Sequence, residues 1–276
     1  MISKTPETPI EVVKEGETNH KVQSSNLKVQ SKESSNLKVQ SKLKALLSST
    51  YFGPIQWFQK LNRYDECLIE RHESFIKQTY RNRMIIPTTN GPLSLTIPTN
   101  HDISLSMKDI RISDHANWRH VHWNALLSAY GESPFFEYYQ DDIRPFYEKK
   151  YEFLFDFNME TTQKMIELLD IRPKISITEE YIFSEERRVK SEETTFGGQG
   201  ESQFDSIANH KVQSSNLKVQ SIVDFRDAIR PKKPLPDAEF APKRYYQVYG
   251  QKHGFQPNMS ILDLLFNEGN EAIFYL

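Results

Sequence analysis

The chain has 276 residues, a formal charge of −2 and a predicted isoelectric point near 6.5. This balance supplies no global field that would draw the protein to nucleic acid or to an anionic membrane, so we expect neither partner. Aromatic residues make up 12% of a sequence whose mean hydropathy is −0.64, which is enough to build a core in a polar chain.

Cysteine usage and the amino terminus both favour a reducing compartment. The single cysteine, Cys67, has no intramolecular partner and lies in an apolar run, so we interpret it as a buried core thiol and not as a nucleophile. Residues 1–17 lack the apolar region of a secretory signal, and no window approaches the ~18 apolar residues of a membrane span. The sequence therefore predicts a soluble, cytoplasmic protein without a membrane span.

One short sequence recurs in the chain. NHKVQSSNLKVQS occurs at Asn19–Ser31 and Asn209–Ser221, and its last eight residues occur again at Ser34–Ser41. These copies are too short, too polar and too unevenly spaced for structural repeats, which need 20–50 residues to share a core. We interpret them as an inserted sequence, with a functional recognition tag as the alternative.

The composition predicts how the chain is divided into a disordered leader, a domain and a flexible loop. Residues 1–45 are expected to be a disordered leader that contains inserted repeats. Residues 46–276 are expected to form a single domain, which a flexible loop at 185–221 interrupts. Short strands alternate with helices, so the fold class is α/β or α+β, a mixed-sheet domain with flanking helices.

The predicted elements follow from apolar patterns and from their flanking residues. Strands are predicted at Leu46–Phe52, Cys67–Glu70, Met84–Pro87, Leu93–Pro98, Ile110–Ile112 and Ile175–Ile177. Helices are predicted at Pro54–Arg63, Asn117–Tyr130, Phe135–Phe155, Thr161–Leu169 and Ser260–Asn267. The proline-rich segment 231–242 is expected to be extended.

Turn and cap residues set several of these boundaries. Asn90-Gly91 favours a type I′ β-hairpin turn between the third and fourth strands. Asp114 is a predicted cap for the helix that Gly131 ends, and Asn258 is a predicted cap for the last helix.

The densest polar cluster of the ordered core runs from Glu73 to Arg83. Arginine forks suit a carboxylate or a phosphate, lysine adds a compact charge, and amides read a hydroxyl or a peptide group. The candidate substrate-binding residues are Lys77, Gln78, Arg81, Asn82 and Arg83. The alternative is an exposed basic stretch or a structural ion-pair network.

A second cluster lies on the predicted helix that begins near Asn117. Trp118 and His122 are four residues apart and share a helix face, so His122 is a candidate general acid or base with Trp118 as the wall of its site. The alternative is a histidine packed in the core. A zinc site is not expected, because there is no second cysteine and no HExxH motif.

Several segments together resemble the WbqC-like family. They are YFGPIQWFQKL, KQTYRNR preceded by Glu73, NGPLSLTIP, NWRHVHWNALLSAYGESPFFEYY and the closing HGFQPNMSILDLLFNEG. The resemblance extends from about Ser48 to Leu169 and from about Val248 to Leu276. Many relatives carry His-Gln-Pro-Asn ahead of the aromatic segment, where this chain has Ser48-Ser49-Thr50.

This resemblance implies a role in bacterial surface-polysaccharide biosynthesis, such as O-antigen assembly. The expected enzyme transfers an acyl or aminoacyl group to a nucleotide- or lipid-linked amino-sugar, a small-molecule substrate, and no motif calls for a metal or a cofactor. His122 or Glu73 would be the catalytic base, and Tyr51 joins Trp118 among the substrate-binding candidates by motif. The alternative is a non-catalytic sugar- or nucleotide-binding subunit of a biosynthetic complex.

Overall fold

A computed structural model of the chain describes residues 43–100, 105–183 and 222–276. Most of the predicted leader and the whole predicted loop at 185–221, including the Asn209–Ser221 repeat, lie outside the described residues. Lys44 and Ala45, at the end of the predicted leader, already belong to the first strand. The predicted end of this strand at Phe52 is wrong, because the strand ends at Ser48 and Phe52 has a positive φ of 38°, which a strand does not allow.

The strands, in chain order, are β1 Lys44–Ser48, β2 Glu66–Glu70, β3 Arg83–Thr88, β4 Gly91–Thr96, β5 Thr99–Asn100, β6 Arg111–Ile112, β7 Ile175–Ile177 and β8 Ile222–Asp224. The α-helices are α1 Ile55–Arg63, α2 Trp118–Tyr130, α3 Phe136–Ile143, α4 Pro145–Glu148, α5 Leu154–Leu168, α6 Gly250–His253 and α7 Ile261–Glu268. Short 3₁₀ helices are Met107–Asp109, His115–Asn117 and Gly269–Tyr275. The mixed α/β class predicted from the sequence is confirmed.

A four-stranded parallel sheet organises the fold, in the order β7-β2-β1-β8. Its central strand β1 is apolar and buried on both faces, as parallel sheets require, because helices and loops cover them. Helix α1 connects β1 to β2 and buries Ile55, Trp57, Phe58 and Leu61. Cys67 is buried in β2, and desolvation raises the pKa of its thiol to about 12, which agrees with a core role.

The hairpin predicted near Asn90-Gly91 is present as β3 and β4, but the predicted turn type is wrong. Thr88 pairs with Gly91, so the two loop residues are Thr89 and Asn90. A type I′ turn needs positive φ at both loop residues, whereas in this turn only Gly91 has one, at +97°. Glycine thus supplies the left-handed conformation one position later than predicted.

The long helix predicted at Phe135–Phe155 is three separate segments. Helix α3 ends at Ile143, and the short α4 begins at Pro145, which has no backbone N–H for a continuing helix. The chain is then extended to Phe153, which forms a bridge with Arg111. Helix α5 therefore begins at Leu154 and includes the region predicted as a separate helix from Thr161.

Neither Asp114 nor Asn258 caps the helix that was predicted for it. Asp114 makes no capping bond to α2, which has Asn117 at its N-cap, and instead pairs with the side chains of Arg119 and Lys150. The helix α7 is capped by Ser260, whose hydroxyl accepts a hydrogen bond from the Leu262 amide.

Asn258 has a different role from the one predicted, since it bonds to the first turn of α1. Its Oδ1 accepts a hydrogen bond from the Gln56 amide at 2.9 Å, across 202 positions of sequence. Neighbouring backbone bonds join Ile55 to Met259 and Ile261 to Gly53. The segment around Asn258 therefore fixes the turn between β1 and α1.

None of the helices in the described parts of the chain has the length and apolar character that would let it cross a membrane.

Candidate functional site

The candidate site lies where the four parallel strands end. Strands β2, β1 and β8 end at Glu70, Ser48 and Asp224 on the same edge, because all are parallel. The chain moves outward from β1 to β2 to β7 and then returns to the other side of β1 as β8. The order therefore reverses between β1 and β8, and such switch points are where ligands bind in open α/β sheets.

Arg81 and Glu73 form a buried ion pair at this edge. Arg81 Nε lies 2.8 Å from Glu73 Oε1, and Nη2 lies 2.5 Å from Oε2, in a bidentate arrangement. The guanidinium also donates to Ser48 Oγ at 2.8 Å and to Thr79 Oγ1 at 3.2 Å. Both charged side chains are almost fully shielded from water, so most of the donors of Arg81 are used within the protein.

A second buried arginine, Arg226, follows β8. Its Nε and Nη2 donate to the two carboxylate oxygens of Asp224 at 2.9 and 2.7 Å, and Nη2 also donates to the Ile182 carbonyl. Glu70 lies 3.6 Å from Nη1 and accepts hydrogen bonds from the Thr178 hydroxyl and the Ile182 amide. Three carboxylates and two guanidiniums therefore lie at the edge of the sheet.

A small cavity separates the two arginines at the β1–β8 reversal. Its walls include the residues Leu47, Ser48, Thr50, Trp57, Tyr80, Arg81, Phe225, Arg226 and Ile229. Thr50 Oγ1 and Arg226 Nη1 are buried there and have no hydrogen-bond partner among the described residues. The space for solvent is about 10 Å³, enough for about one water. The cavity thus presents polar donors that a small polar atom would satisfy.

His122 belongs to a buried chain of hydrogen bonds next to this edge. Its Nδ1 lies 3.0 Å from the Tyr51 hydroxyl, which lies 2.9 Å from the Tyr147 hydroxyl. The Trp118 ring packs edge-on against the imidazole, with centroids 5.2 Å apart. Tyr51 directly follows Thr50, so a single turn after β1 contributes to both the cavity and the chain.

Burial determines the protonation state of this chain. Desolvation lowers the pKa of His122 to about 4, against a backbone hydrogen bond to Thr96 that raises it. Desolvation also raises the pKa values of Tyr51 and Tyr147. At neutral pH the imidazole is therefore uncharged and the two phenols keep their protons.

The other predicted substrate-binding residues differ in their exposure to solvent. Asn82 is buried and donates to the Ile97 carbonyl at 3.0 Å, while Arg83 is half-buried and donates through Nε to Thr96 Oγ1. Lys77 and Gln78 are exposed on the loop before Arg81, and Gln78 has a positive φ of 60°. The structure therefore joins Glu73 with Arg81, and Tyr51 and Trp118 with His122, but it leaves Lys77 and Gln78 at the surface.

Comparison with known proteins gives a clear assignment of family. The sequence model described as the WbqC-like protein family matches residues 48–213 and 235–275, which is most of the chain. The chain belongs to the WbqC-like protein family. The first matched range ends at residue 213, inside the repeat Asn209–Ser221, so the rest of that repeat lies between the matched ranges, and the other copies precede residue 48.

One relative of this WbqC-like chain is "Uncharacterized protein Rv1507c" of Mycobacterium tuberculosis. The two sequences are 28% identical over 243 residues, which cover 84% of this chain and 96% of the relative. No solved structure matches the chain significantly.

The segment Ser48-Ser49-Thr50, which precedes the aromatic segment, lies within the site. Ser48 accepts a hydrogen bond from Arg81, Ser49 accepts one from Asn158 Nδ2 at 3.2 Å, and Thr50 lines the cavity. Small hydroxyl side chains thus occupy this edge of the sheet.

Sequence reasoning missed several residues of the site, namely Glu70, Tyr147, Asp224 and Arg226. Glu70 had a usable signal, because it ends a predicted strand, and parallel strands end at one edge. Asp224 and Arg226 had none, since β8 follows a long region with no apolar pattern. Within the described residues, no group of three or more potential His, Cys, Asp or Glu ligands is placed to hold a metal ion.

Proposed function

We propose that this WbqC-like protein is a cytoplasmic transferase of bacterial surface-polysaccharide biosynthesis. It would move an acyl or aminoacyl group from an activated donor to the amine of a nucleotide- or lipid-linked amino-sugar. Membership of the family supports the biosynthetic setting. The site supports the reaction class, since it combines buried hydrogen-bond donors with a neutral imidazole.

The observation that carries the proposal is the turn after β1. Thr50 lines the donor-rich cavity, and the next residue, Tyr51, is bonded to His122. Acyl transfer requires donors where negative charge develops on the carbonyl oxygen and a group that removes a proton from the attacking amine. One turn of the chain brings both requirements to the switch point of the sheet.

In the proposed reaction the amine nitrogen attacks the acyl carbonyl, and the bond between nitrogen and carbon forms. The nitrogen of the tetrahedral adduct then loses a proton to the chain that ends at His122, and the donor's leaving group departs with the electron pair. Arg226 Nη1 and the Thr50 hydroxyl, which have no hydrogen-bond partner among the described residues, are suited to the carbonyl oxygen.

The other predicted residues take supporting roles in this proposal. Both carboxylate oxygens of Glu73 are bonded to Arg81, so we assign Glu73 to positioning and His122 to proton transfer. Arg81 and Asn82 hold the edge of the sheet, and Trp118 and Tyr51 orient the imidazole. The exposed Lys77 and Gln78, with the half-buried Arg83, are proposed to contact the charged part of the substrate.

A non-catalytic binding subunit is the second candidate, and one observation favours it. Only 3% of His122 is exposed, so substrate reaches the imidazole only through Tyr51 and Tyr147 or after a movement of the protein. In that case the same cavity would bind a sugar or nucleotide without turnover.

The test is a transfer assay with His122→Ala. Purified protein is incubated with acyl-thioester donors and a panel of UDP- and dTDP-linked amino-sugars, and mass spectrometry records the gain of the acyl mass. We expect turnover to fall about 100-fold or more, as for loss of a general base, while affinity for the amino-sugar changes little.

His115→Ala is the matched control, because His115 is exposed and lies ahead of the same helix. It should retain wild-type turnover. Equal turnover in the His122→Ala and wild-type proteins would exclude the catalytic assignment. Binding of the amino-sugar without any transfer by the wild-type protein would favour the binding subunit instead.

A further inference from the structure

A cleft of about 360 Å³ lies between the start of α2 and the short helix α4. Its lining combines cationic and aromatic side chains. The residues are Asn117, Arg119, His120, Trp123, Arg144, Tyr147, Glu148 and Lys150. Its volume lies within the range of small-molecule sites.

The charge of the cleft is positive and only partly compensated. Asp114 pairs with both Arg119 and Lys150, at 2.5 and 2.8 Å, and Glu148 pairs with Arg144 at 2.7 Å. Three cations therefore share two carboxylates. Lys150 and Arg144 are 79% and 57% exposed, and such solvated pairs are weak, so an anionic ligand exchanges with them readily.

Arg119 supplies the second observation that points to a ligand. Its guanidinium lies 4.7 Å over the Trp118 ring, which holds its plane in place. Nε and Nη2 are buried and have no hydrogen-bond partner among the described residues, although Nη1 is bonded to Asp114. Unpaired buried donors are costly, so a ligand oxygen within reach of this guanidinium would be stabilising.

The start of α2 adds a third contribution to the same cleft. The first turn of this 13-residue helix contributes Arg119 and His120 to the lining, and its N-cap residue, Asn117, makes no side-chain capping bond. Helix N-termini carry a partial positive charge and free N–H groups, which favour a phosphate.

We propose that this cleft binds a phosphate or diphosphate ester. Arg119 would bind two phosphate oxygens with its fork, and Arg144 and Lys150 would neutralise the remaining charge. Tyr147 lines the cleft and is bonded through Tyr51 to His122, so a bound phosphate compound lies beside the hydrogen-bonded chain. The inference concerns a site separate from the sheet edge and does not rest on the proposed function.

The probes are inorganic pyrophosphate and UDP, titrated into the full chain with intrinsic tryptophan fluorescence and calorimetry as readouts. We expect saturable binding that weakens as salt is raised. The variant Lys150→Gln should weaken binding about three- to tenfold, and Arg119→Gln about tenfold or more, because charge-assisted bonds to phosphate are lost.

The control variant is Lys149→Gln. Lys149 is the neighbour of Lys150, is similarly exposed at 59% and pairs with Glu160 outside the cleft. Its affinity for pyrophosphate should equal that of the wild-type protein. Lys150→Gln changes an exposed side chain and serves as the main test if Arg119→Gln fails to fold.

Two results would overturn the proposal, namely no binding of either probe at millimolar concentration, or an equal loss in Lys149→Gln and Lys150→Gln. Tighter binding of UDP than of pyrophosphate would support the site and identify a nucleotide as the source of the phosphate. Equal binding would support recognition of the diphosphate alone. Because no turnover is measured, failure of this test is distinct from failure of the His122→Ala assay.

Discussion

The arginines at the sheet edge and the arginine of the helical cleft are placed in opposite ways. Arg81 and Arg226 are buried and hold carboxylates through bidentate contacts. Arg119 makes one bond to an exposed carboxylate and keeps two donors without a partner among the described residues. Sequence alone presents them as equivalent cations, whereas their surroundings assign them different tasks.

This difference distinguishes arginines that hold the backbone in position from arginines that can bind an anionic ligand. Arg81, whose donors are taken by Glu73, Ser48 and Thr79, organises the backbone around it, and little of its charge remains for a ligand. Arg226 differs in one donor, because Nη1 has no hydrogen-bond partner among the described residues and faces the cavity. A cation with exposed, exchangeable partners holds less of the fold together and keeps its affinity for anions. Most of the charge at the sheet edge is therefore compensated within the protein, whereas the cations of the cleft are compensated only in part.

The largest expected effect comes from breaking the buried pair. Arg81→Met leaves Glu73 as an uncompensated buried charge, so the free energy of unfolding should fall by about 3–5 kcal/mol. Urea denaturation followed by circular dichroism measures this loss. The double variant Arg81→Met/Glu73→Gln should recover part of it, because the buried charge is removed.

The exposed pair of Arg144 and Glu148 is the matched comparison. Arg144→Gln should change the free energy of unfolding by about 1 kcal/mol or less, since both side chains are well exposed. A loss as large as that of Arg81→Met would contradict the distinction between the two kinds of arginine.

A second prediction concerns His122, a buried group that stays uncharged at neutral pH. The folded-state pKa of His122 is about 4, below its ordinary value of 6.5, so the unfolded chain takes up a proton first as pH falls. This lowers the free energy of unfolding by up to about 3 kcal/mol between pH 6.5 and pH 4, and none of that loss occurs above this window.

Asp263 has the opposite effect on the pH dependence of stability, over nearly the same range of pH. Burial raises its pKa from 3.8 to about 6, so the folded state keeps its proton longer and loses relative stability as pH rises from about 4 to 6. Relative to wild type, His122→Gln should therefore become less stable with rising pH, and Asp263→Asn more stable. Denaturation at pH 4, 5, 6 and 7 measures both slopes, and parallel profiles in the three proteins would refute these assignments.

The smallest effect is expected from removing the repeat. Deletion of the repeat Asn209–Ser221, interpreted as an insertion, should change the free energy of unfolding by less than about 1 kcal/mol, as for other changes in loop length. Transfer activity should also be retained. Loss of either property would show that the repeat contributes to the folded protein.

Much of the fold can be predicted from the sequence, because neighbouring residues determine where many helices and strands begin and end. Pro54 ahead of α1 and Gly131 after α2 set boundaries close to those observed, whereas the first strand, predicted at Leu46–Phe52, is shifted to Lys44–Ser48. The break at Pro145 was also encoded, since proline cannot continue a helix, but the aromatic pattern on both sides hid it. Asn258 shows the limit of such reasoning, as the helix that it contacts is 202 positions away.

The site was less predictable for the same physical reason. The sequence placed Glu73 and Arg81 in one cluster, but it did not reveal that they neutralise each other. Their pairing depends on how the loop before β3 folds back onto the end of β1, where Ser48 also bonds to Arg81. Arg226 reaches this edge only because β8 pairs with β1, and no local signal predicts that pairing.

The bond between Asn258 and the first turn of α1 has a consequence for biosynthesis of the protein. The turn that carries Thr50 and Tyr51 leads into a backbone segment held by Met259 and Ile261. Ribosomes add about 5–20 residues per second, so about 10–40 s separate synthesis of this turn from synthesis of its partners. During that interval β1 and α1 are available to chaperones while the sheet edge remains unfinished. Release of the segment around Asn258 from the ribosome therefore sets the earliest time at which the site is complete.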